Sequence, residues 1–230
     1  GDAADIKKNF TVSKFGNWIL GCMDSTACNF NFEANASDSS CTYPELGYDC
    51  EGDFTGYIVG MEAEGGIVFY VDSTGQHGLV AALEDLTEGA TDPDGLGRNG
   101  YKWGCQQEVN GADGQAIGTG YQNTMDIVNQ ECSTDNLGIT AAQAALDAEI
   151  NGYSDWYLPS KDELLEMYNT IGNGGPEGNI GGFETIDPYY WSSSESNSNT
   201  AWCVDFFGVF TRRSISWSNP TVSVRVIRAF

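Results

Sequence analysis

The sequence has little positive charge, a single histidine and no long apolar run. It carries 33 acidic against 10 basic residues, a formal net charge of -23, which disfavours binding to nucleic acids and anionic membranes. With His77 as the only histidine, most hydrolase triads and histidine-ligated metal sites are disfavoured as well. No stretch approaches the roughly 18 apolar residues of a membrane-spanning helix. The opening Gly-Asp-Ala-Ala-Asp is not a signal peptide, so we expect a processed product.

The remaining composition is typical of a folded protein with many loops. Apolar residues make up 40% and aromatic residues 12% of the 230 positions, which is enough for a hydrophobic core. Glycine occurs 29 times, and this frequency indicates many turns and short elements. The length fits one large domain with a small attachment.

Four of the seven cysteines lie in a short polar stretch near the N-terminus, at Cys22, Cys28, Cys41 and Cys50. Because such a segment buries little apolar area, two disulfides are the expected source of its order. The alternative is a zinc site, which needs closely spaced cysteine pairs, and the gaps of 5, 12 and 8 residues fit it poorly. The sequence does not choose among the three possible disulfide connectivities.

The other three cysteines lie in the larger part of the chain. Cys105 and Cys132 are expected to form a third bridge that closes a glycine-rich loop, which leaves Cys203 over. This thiol is either buried and inert or located at a position that tolerates many residue types. Disulfides persist in oxidising compartments, so the cysteine usage predicts an extracellular or cell-surface location.

Side chains with oxygen ligands are frequent in the N-terminal cysteine-rich stretch. Such ligands on short loops suit Ca²⁺, whereas Asn and Asp also form turns without any metal. No EF-hand-like spacing is present, so we favour turn formation and keep structural Ca²⁺ as the alternative. The residues concerned are Asp24, Asn29, Asn31, Asn35, Asp38 and Asp49.

Strands are predicted in an early and a late group, because runs of β-branched and aromatic residues alternate with turn residues. The early group covers residues 57–59, 66–71 and 78–83, and the late group covers residues 190–193, 201–206, 209–212 and 222–230.

Two helices are predicted between these groups. Thr140 can cap the first, which would close at Asn151-Gly152, and Ser160 with Glu163 forms a capping box for the second. The apolar face of the first helix would consist of Ala142, Ala145, Leu146 and Ile150. Residues 122–129 fit a short additional helix. This order of elements predicts an α+β domain in which both termini contribute strands to one sheet.

Three separated blocks of the sequence match one family in order. Residues 151–164 read Asn-Gly-Tyr-Ser-Asp-Trp-Tyr-Leu-Pro-Ser-Lys-Asp-Glu-Leu, residues 189–195 read Tyr-Tyr-Trp-Ser-Ser-Ser-Glu, and residues 224–230 read Val-Arg-Val-Ile-Arg-Ala-Phe. Together they resemble the Lcl_C-type domain over about residues 56–230. The resemblance implies a C-type-lectin-like fold, in which two helices pack on a mixed or antiparallel sheet with long loops.

A second resemblance concerns the N-terminal part of the chain. Residues 21–41 look like a small cysteine module of secreted bacterial surface proteins. The expected organisation is an N-terminal segment at residues 1–20, a disulfide-rich module at residues 21–52 and a ligand-binding domain at residues 53–230.

The C-terminal blocks also resemble the frame of variable proteins that diversity-generating retroelements diversify. In that group the frame brackets a tract in which adenine-directed mutagenesis of Asn codons yields many residue types. By the genetic code, such changes cannot produce Lys, Glu, Gln, Met or Trp. Of the 21 residues at positions 203–223, Trp217 alone belongs to that excluded set.

The resemblance implies that residues 196–223 form a binding surface. Arg212 and Arg213 lie beside aromatic residues in this tract, a composition that is frequent in binding hot spots. The alternative is that Phe206, Val209 and Phe210 belong to the core. The predicted ligand-binding residues are Ser196, Ser198, Thr200, Cys203, Asp205, Phe207, Val209, Phe210, Arg212, Arg213, Ile215, Trp217 and Asn219.

Residues of the frame itself are expected to be structural. Apolar frame residues assigned to the core are Trp156, Leu158, Leu164, Trp191 and Trp202. We expect Asp155 and Glu195 to bridge backbone groups, and Arg225 and Arg228 to pair with carboxylates.

These features favour a non-catalytic binding protein over an enzyme. The sulfatase-activating enzymes of the lectin-like superfamily are similar to one another in a reactive cysteine pair near the C-terminus, where this chain has only Cys203. The predicted partner is a protein or glycan target on another cell or on a phage, without nucleic acid and without membrane insertion. The alternative is a fixed bacterial adhesin or lectin that binds glycans, with or without Ca²⁺, although Trp217-Ser-Asn-Pro220 matches the sugar-binding motifs of C-type lectins poorly.

Overall fold

The computed structural model describes residues 17–88, 90, 100–104, 108–131, 139–185, 189–207, 213–216 and 222–230, with the backbone alone at 213–216. The chain divides into two compact units, Gly1–Thr55 and Gly56–Phe230. None of the helices in these described ranges is long and apolar enough to cross a membrane.

The first unit is held by two disulfides, as the cysteine spacing predicts. Cys22 is bonded to Cys41 and Cys28 to Cys50, which selects one of the three possible connectivities. Its regular structure is a short parallel pair, β1 (Leu20–Gly21) and β2 (Ala36–Ser37). Such crosslinks typically contribute about 2–4 kcal/mol each by restricting the unfolded chain. The bridge predicted between Cys105 and Cys132 lies outside the described residues and stays a prediction.

Polar side chains of the first unit fold its turns. Asp24 Oδ1 accepts hydrogen bonds from the Thr26 N–H at 2.9 Å and the Thr26 hydroxyl at 2.7 Å, and the first of these contacts lowers the Asp24 pKa most. The other five residues considered as calcium ligands also each accept a backbone N–H through a side-chain oxygen. Four of the six contacts join residues two positions apart, as in Asx turns, whereas Asn29 and Asn35 bind the backbone of Thr42 and Ile19. Across the described ranges, no group of three or more His, Cys, Asp or Glu side chains is arranged to hold a metal ion.

The second unit contains an antiparallel four-stranded sheet in the order β3-β4-β5-β9. Its strands are β3 (Glu62–Ala63), β4 (Gly66–Val71), β5 (Gly78–Ala81) and β9 (Ile227–Ala229). The last strand pairs with β5, so the start and the end of this unit share one sheet, as predicted. A second antiparallel sheet consists of β6 (Tyr189–Asn197), β7 (Thr200–Asp205) and β8 (Arg213–Ser216).

Three helices lie between the two groups of strands in the described residues: α1 (Gly120–Val128), α2 (Ala141–Leu146) and α3 (Lys161–Thr170). The predicted caps are confirmed, because the Thr140 side chain accepts the Gln143 N–H and Ser160 forms a capping box with Glu163. The observed architecture is therefore a mixed α and β fold with few helices and antiparallel sheets.

Several predicted boundaries were wrong. Residues 57–59 are not a strand, because Met61 N–H donates to the Ile58 carbonyl and bends the chain. The helix α2 ends at Leu146, and Ile150 instead forms a two-hydrogen-bond turn with Tyr153. Within residues 222–230 the strand is confined to Ile227–Ala229. The strand predicted at residues 209–212 lies outside the described ranges.

The second sheet separates two parts of the hydrophobic core. Trp191 and Cys203 belong to one cluster together with Trp103, whereas Tyr190 and Val204 belong to the other. Neighbouring residues enter different clusters because successive side chains of a strand point to opposite faces. Both faces of β6 and β7 are thus buried over most of their length.

Arg225 is a buried cation whose guanidinium has several hydrogen-bond partners. Its guanidinium donates to Asp85 Oδ1 at 2.6 Å, to the Ala82 carbonyl at 3.0 Å and to the Gly181 carbonyl at 2.7 Å. It also lies 4.4 Å from the centroid of the Phe183 ring. The side chain is only 1% exposed, so removal of either partner would leave a buried charge or polar group unpaired.

Arg225→Met should therefore lower the free energy of unfolding by about 3–5 kcal/mol, because Asp85 loses its ion-pair partner. Urea denaturation of the full chain, followed by tryptophan fluorescence, measures this loss. Arg225→Lys is the control, because it keeps the positive charge but lacks the planar guanidinium. It should retain only part of the stability that Arg225→Met loses. A loss below about 1 kcal/mol, the range of exposed ion pairs, would contradict the assignment.

Candidate functional site

The three serines of the Trp-Ser-Ser-Ser-Glu block are completely buried. Ser192 Oγ donates to the Trp202 carbonyl at 2.8 Å, and Ser194 Oγ donates to the Gly114 carbonyl at 2.6 Å. Ser193 donates to the Pro159 carbonyl through its backbone N–H at 2.7 Å. These hydroxyls satisfy buried backbone groups, and they attach the segment around Gly114 and the start of α3 to β6.

Glu195 ends this block and holds the same loop. Its Oε2 accepts the Val109 N–H at 2.9 Å, and its own N–H donates to the Ala112 carbonyl at 2.7 Å. Burial raises the pKa of Glu195, and the Val109 N–H acts in the opposite direction. The expectation that Glu195 bridges backbone groups is confirmed.

The buried carboxylate of Glu163 is used in the same way. It accepts hydrogen bonds from the Gly118 N–H at 2.7 Å and from the Ser160 N–H at 2.6 Å. Burial raises its pKa while these backbone donors lower it. Both buried carboxylates of this region are thus engaged with backbone amides.

Arg228 forms the second arginine–carboxylate pair of the C-terminal block, as expected. Its Nε donates to Asp155 Oδ1 at 2.7 Å and its Nη2 to Asp155 Oδ2 at 3.1 Å. This bidentate contact lowers the pKa of Asp155. Arg228 also stacks on the Tyr153 ring at 3.9 Å. The carboxylate of Asp155 thus binds the Arg228 side chain in addition to its own backbone N–H.

The apolar frame residues lie in the core with one partial exception. Trp156, Leu158, Leu164 and Trp191 are fully buried. Trp202 is half-buried, its ring lies 5.3 Å from Lys161 Nζ, and its indole N–H has no hydrogen-bond partner among the described residues.

Eight of the thirteen predicted ligand-binding residues lie in the described ranges. Ser198 and Phe207 are exposed, and Ser196, Thr200 and Asp205 are half-buried. Cys203 is 0% exposed within a hydrophobic cluster, so its side chain does not reach the surface. Arg213 and Ile215 lie in β8, paired in register with Cys203 and Ala201. Outside the described ranges lie Val209, Phe210, Arg212, Trp217 and Asn219.

The chain changes from buried to exposed between two adjacent phenylalanines. Phe206 is 0% exposed and contacts the rings of Tyr190 and Phe183 at 4.8 Å and 4.3 Å. Phe207 is 68% exposed, and its N–H donates to Asp205 Oδ1 at 2.9 Å. The expectation of a core position for Phe206 is confirmed.

Sequence reasoning missed Asp85, the carboxylate that completes the Arg225 site. Asp85 Oδ2 also accepts the Tyr190 hydroxyl at 2.7 Å, and burial raises the Tyr190 pKa. Asp85 and Arg225 are 140 residues apart, and no motif marks Asp85.

The pair Phe206→Ala and Phe207→Ala tests this boundary. The first variant should lose about 3–5 kcal/mol of stability because it creates a cavity in the core, whereas the second should change stability by less than about 0.5 kcal/mol. Chemical denaturation of the two variants side by side is the measurement. Equal losses would mean that Phe207 is also part of the core.

Comparison with known proteins agrees with the sequence blocks. No curated protein matches the chain. The family described as "Lcl C-terminal domain" (Lcl_C) matches residues 99–228, which is more than half of the chain. The match covers the three helices of the described ranges, the second sheet, Arg225 and Arg228, and the first two residues of β9. The chain therefore belongs to the Lcl C-terminal domain family.

Proposed function

We propose that this chain is a non-catalytic, extracellular target-recognition protein. Residues 196–223, apart from the buried Ala201, Cys203, Val204, Phe206 and Val222, form its ligand-contacting surface. The surrounding Lcl_C frame is a C-type-lectin-like scaffold. The partner is a protein or glycan on another cell or on a phage.

One observation carries this proposal: the serines and arginines of the two C-terminal frame motifs are buried. Ser192, Ser193 and Ser194 bind buried backbone groups, and Arg225 and Arg228 are paired with carboxylates. Side chains used in this way stabilise the fold and offer nothing to a ligand. These frame residues therefore have a structural role. The tract between the two blocks is left as the region available for recognition.

The tract itself has the chemistry of a binding surface. Phe207 is exposed directly after the buried Phe206, and Arg212, Arg213 and Trp217 follow in the sequence. Aromatic residues and arginine dominate the energetics of many interfaces. The two disulfides of the first unit support an extracellular location, since they persist in oxidising compartments.

We further propose that the tract is diversified by a retroelement. The frame blocks resemble those of retroelement-diversified proteins, and 20 of the 21 residues at positions 203–223 are accessible from Asn codons by adenine changes. A buried frame that is stabilised by its own hydrogen bonds supports such variation, because changes at exposed positions usually cost little stability.

Sequencing of this locus across many cells of the source population, with its flanking DNA, tests diversification. We expect adenine-linked substitutions confined to the codons of residues 196–223, a nearby near-repeat and a reverse-transcriptase gene. The codons of residues 189–195 and 224–230 in the same reads are the internal control and should be invariant. A uniform tract without these neighbours would overturn the diversification proposal and favour a fixed adhesin or lectin, with or without Ca²⁺.

A further inference from the structure

A cleft outside the predicted binding tract lies between two rigid segments of the second unit. It has a volume of about 380 Å³ and is lined by residues 83–88 together with Ile150 and Asn151. This volume lies within the range of small-ligand sites. None of the residues predicted to bind the target lines it.

The first wall of the cleft is held by the buried arginine site. Ala82 N–H donates to the Val226 carbonyl and Leu86 N–H to the Val224 carbonyl, both at 2.9 Å. Asp85 lies between them and is bound by Arg225. This wall is therefore fixed on both sides of Asp85 by the C-terminal segment.

The second wall is a tight turn. Ile150 and Tyr153 exchange two backbone hydrogen bonds of 3.0 Å, and Asn151 Nδ2 donates to the Gly65 carbonyl at 2.8 Å. Tyr153 in turn stacks on Arg228. The cleft is thus preformed, which lowers the entropic cost of binding.

The lining combines apolar side chains with carboxylates. Leu83, Leu86 and Ile150 supply apolar surface, and Glu84 and Glu88 are exposed acidic residues. Asp85 is already neutralised by Arg225, whereas no ion pair joins Glu84 or Glu88 to another described residue. Such a lining suits a ligand with an apolar stem and a cationic end.

The surrounding charge favours the same class of ligand. Every Lys and Arg side chain that the structure describes in residues 56–230 is buried, namely Lys102, Lys161, Arg225 and Arg228. No described cation therefore shields the acidic rim, and the field of the chain attracts positive ligands and repels anions. The carboxylates of the cleft are not among any metal-holding group in the described ranges, which favours an organic cation over a metal ion.

We propose that this cleft binds an alkyl chain that ends in a guanidinium or ammonium group. The stem lies against Leu83, Leu86 and Ile150, and the charged end is held by Glu84 and Glu88. The source is either a free small amine or an arginine or lysine side chain of a partner protein. This proposal does not depend on the function proposed for residues 196–223.

Nuclear magnetic resonance titration of the full chain tests the proposal with three probes. Butylguanidinium represents the free cation, acetyl-Gly-Arg-Gly-amide represents a protein side chain, and butanol is the neutral control. We expect the two cations to shift the backbone amides of residues 83–88 and 150–152, and butanol to shift them much less. Binding of butylguanidinium without the peptide identifies a free small organic cation as the ligand, and binding of the peptide identifies a protein side chain.

The double variant Glu84→Gln/Glu88→Gln should weaken cation binding at least about threefold, since two exposed charge contacts are lost. Glu131→Gln/Glu177→Gln is the matched control, because both residues are exposed and lie outside the cleft, and it should bind as the parent does. The proposal is overturned if neither cation shifts these amides, if butanol shifts them equally, or if both double variants weaken binding to the same extent.

Discussion

The fold of the second unit depends on the burial of Arg225 among groups from distant parts of the sequence. Its guanidinium donates hydrogen bonds to the carbonyl of Ala82, which follows β5, to the carboxylate of Asp85 and to the carbonyl of Gly181 in the glycine-rich loop. Through Asp85 it also reaches the Tyr190 hydroxyl on the second sheet. A buried cation is tolerated only when its donors are satisfied, so these segments must assemble together. The same constraint fixes one wall of the acidic cleft.

The function that we propose assigns variation to the surface and stability to the buried frame. The frame motifs place their polar groups inside, where Ser192, Ser194 and Glu195 bind backbone atoms. The proposed binding surface uses exposed tract positions such as Ser198 and Phe207, which take no part in these contacts.

The sequence predicted local structure well and long-range structure poorly. The helix caps at Thr140 and Ser160 bind backbone groups within three residues. Such local contacts can be predicted from the sequence. The arginine–carboxylate pairing of Arg225 was expected, but its partner Asp85 is 140 residues away and was not identified. The position of Cys203 was also missed, because alternation along β7 is obscured when both faces of a strand are buried.

Protease challenge of two displayed libraries tests the central claim that the frame, and not the tract, determines folding. One library randomises residues 208–219, and the other randomises an equal number of frame positions at 189–195 and 224–228. The account predicts that most members of the first library resist proteolysis and that few members of the second do. Equal losses in the two libraries would contradict it, because the tract would then be as essential to the fold as the frame.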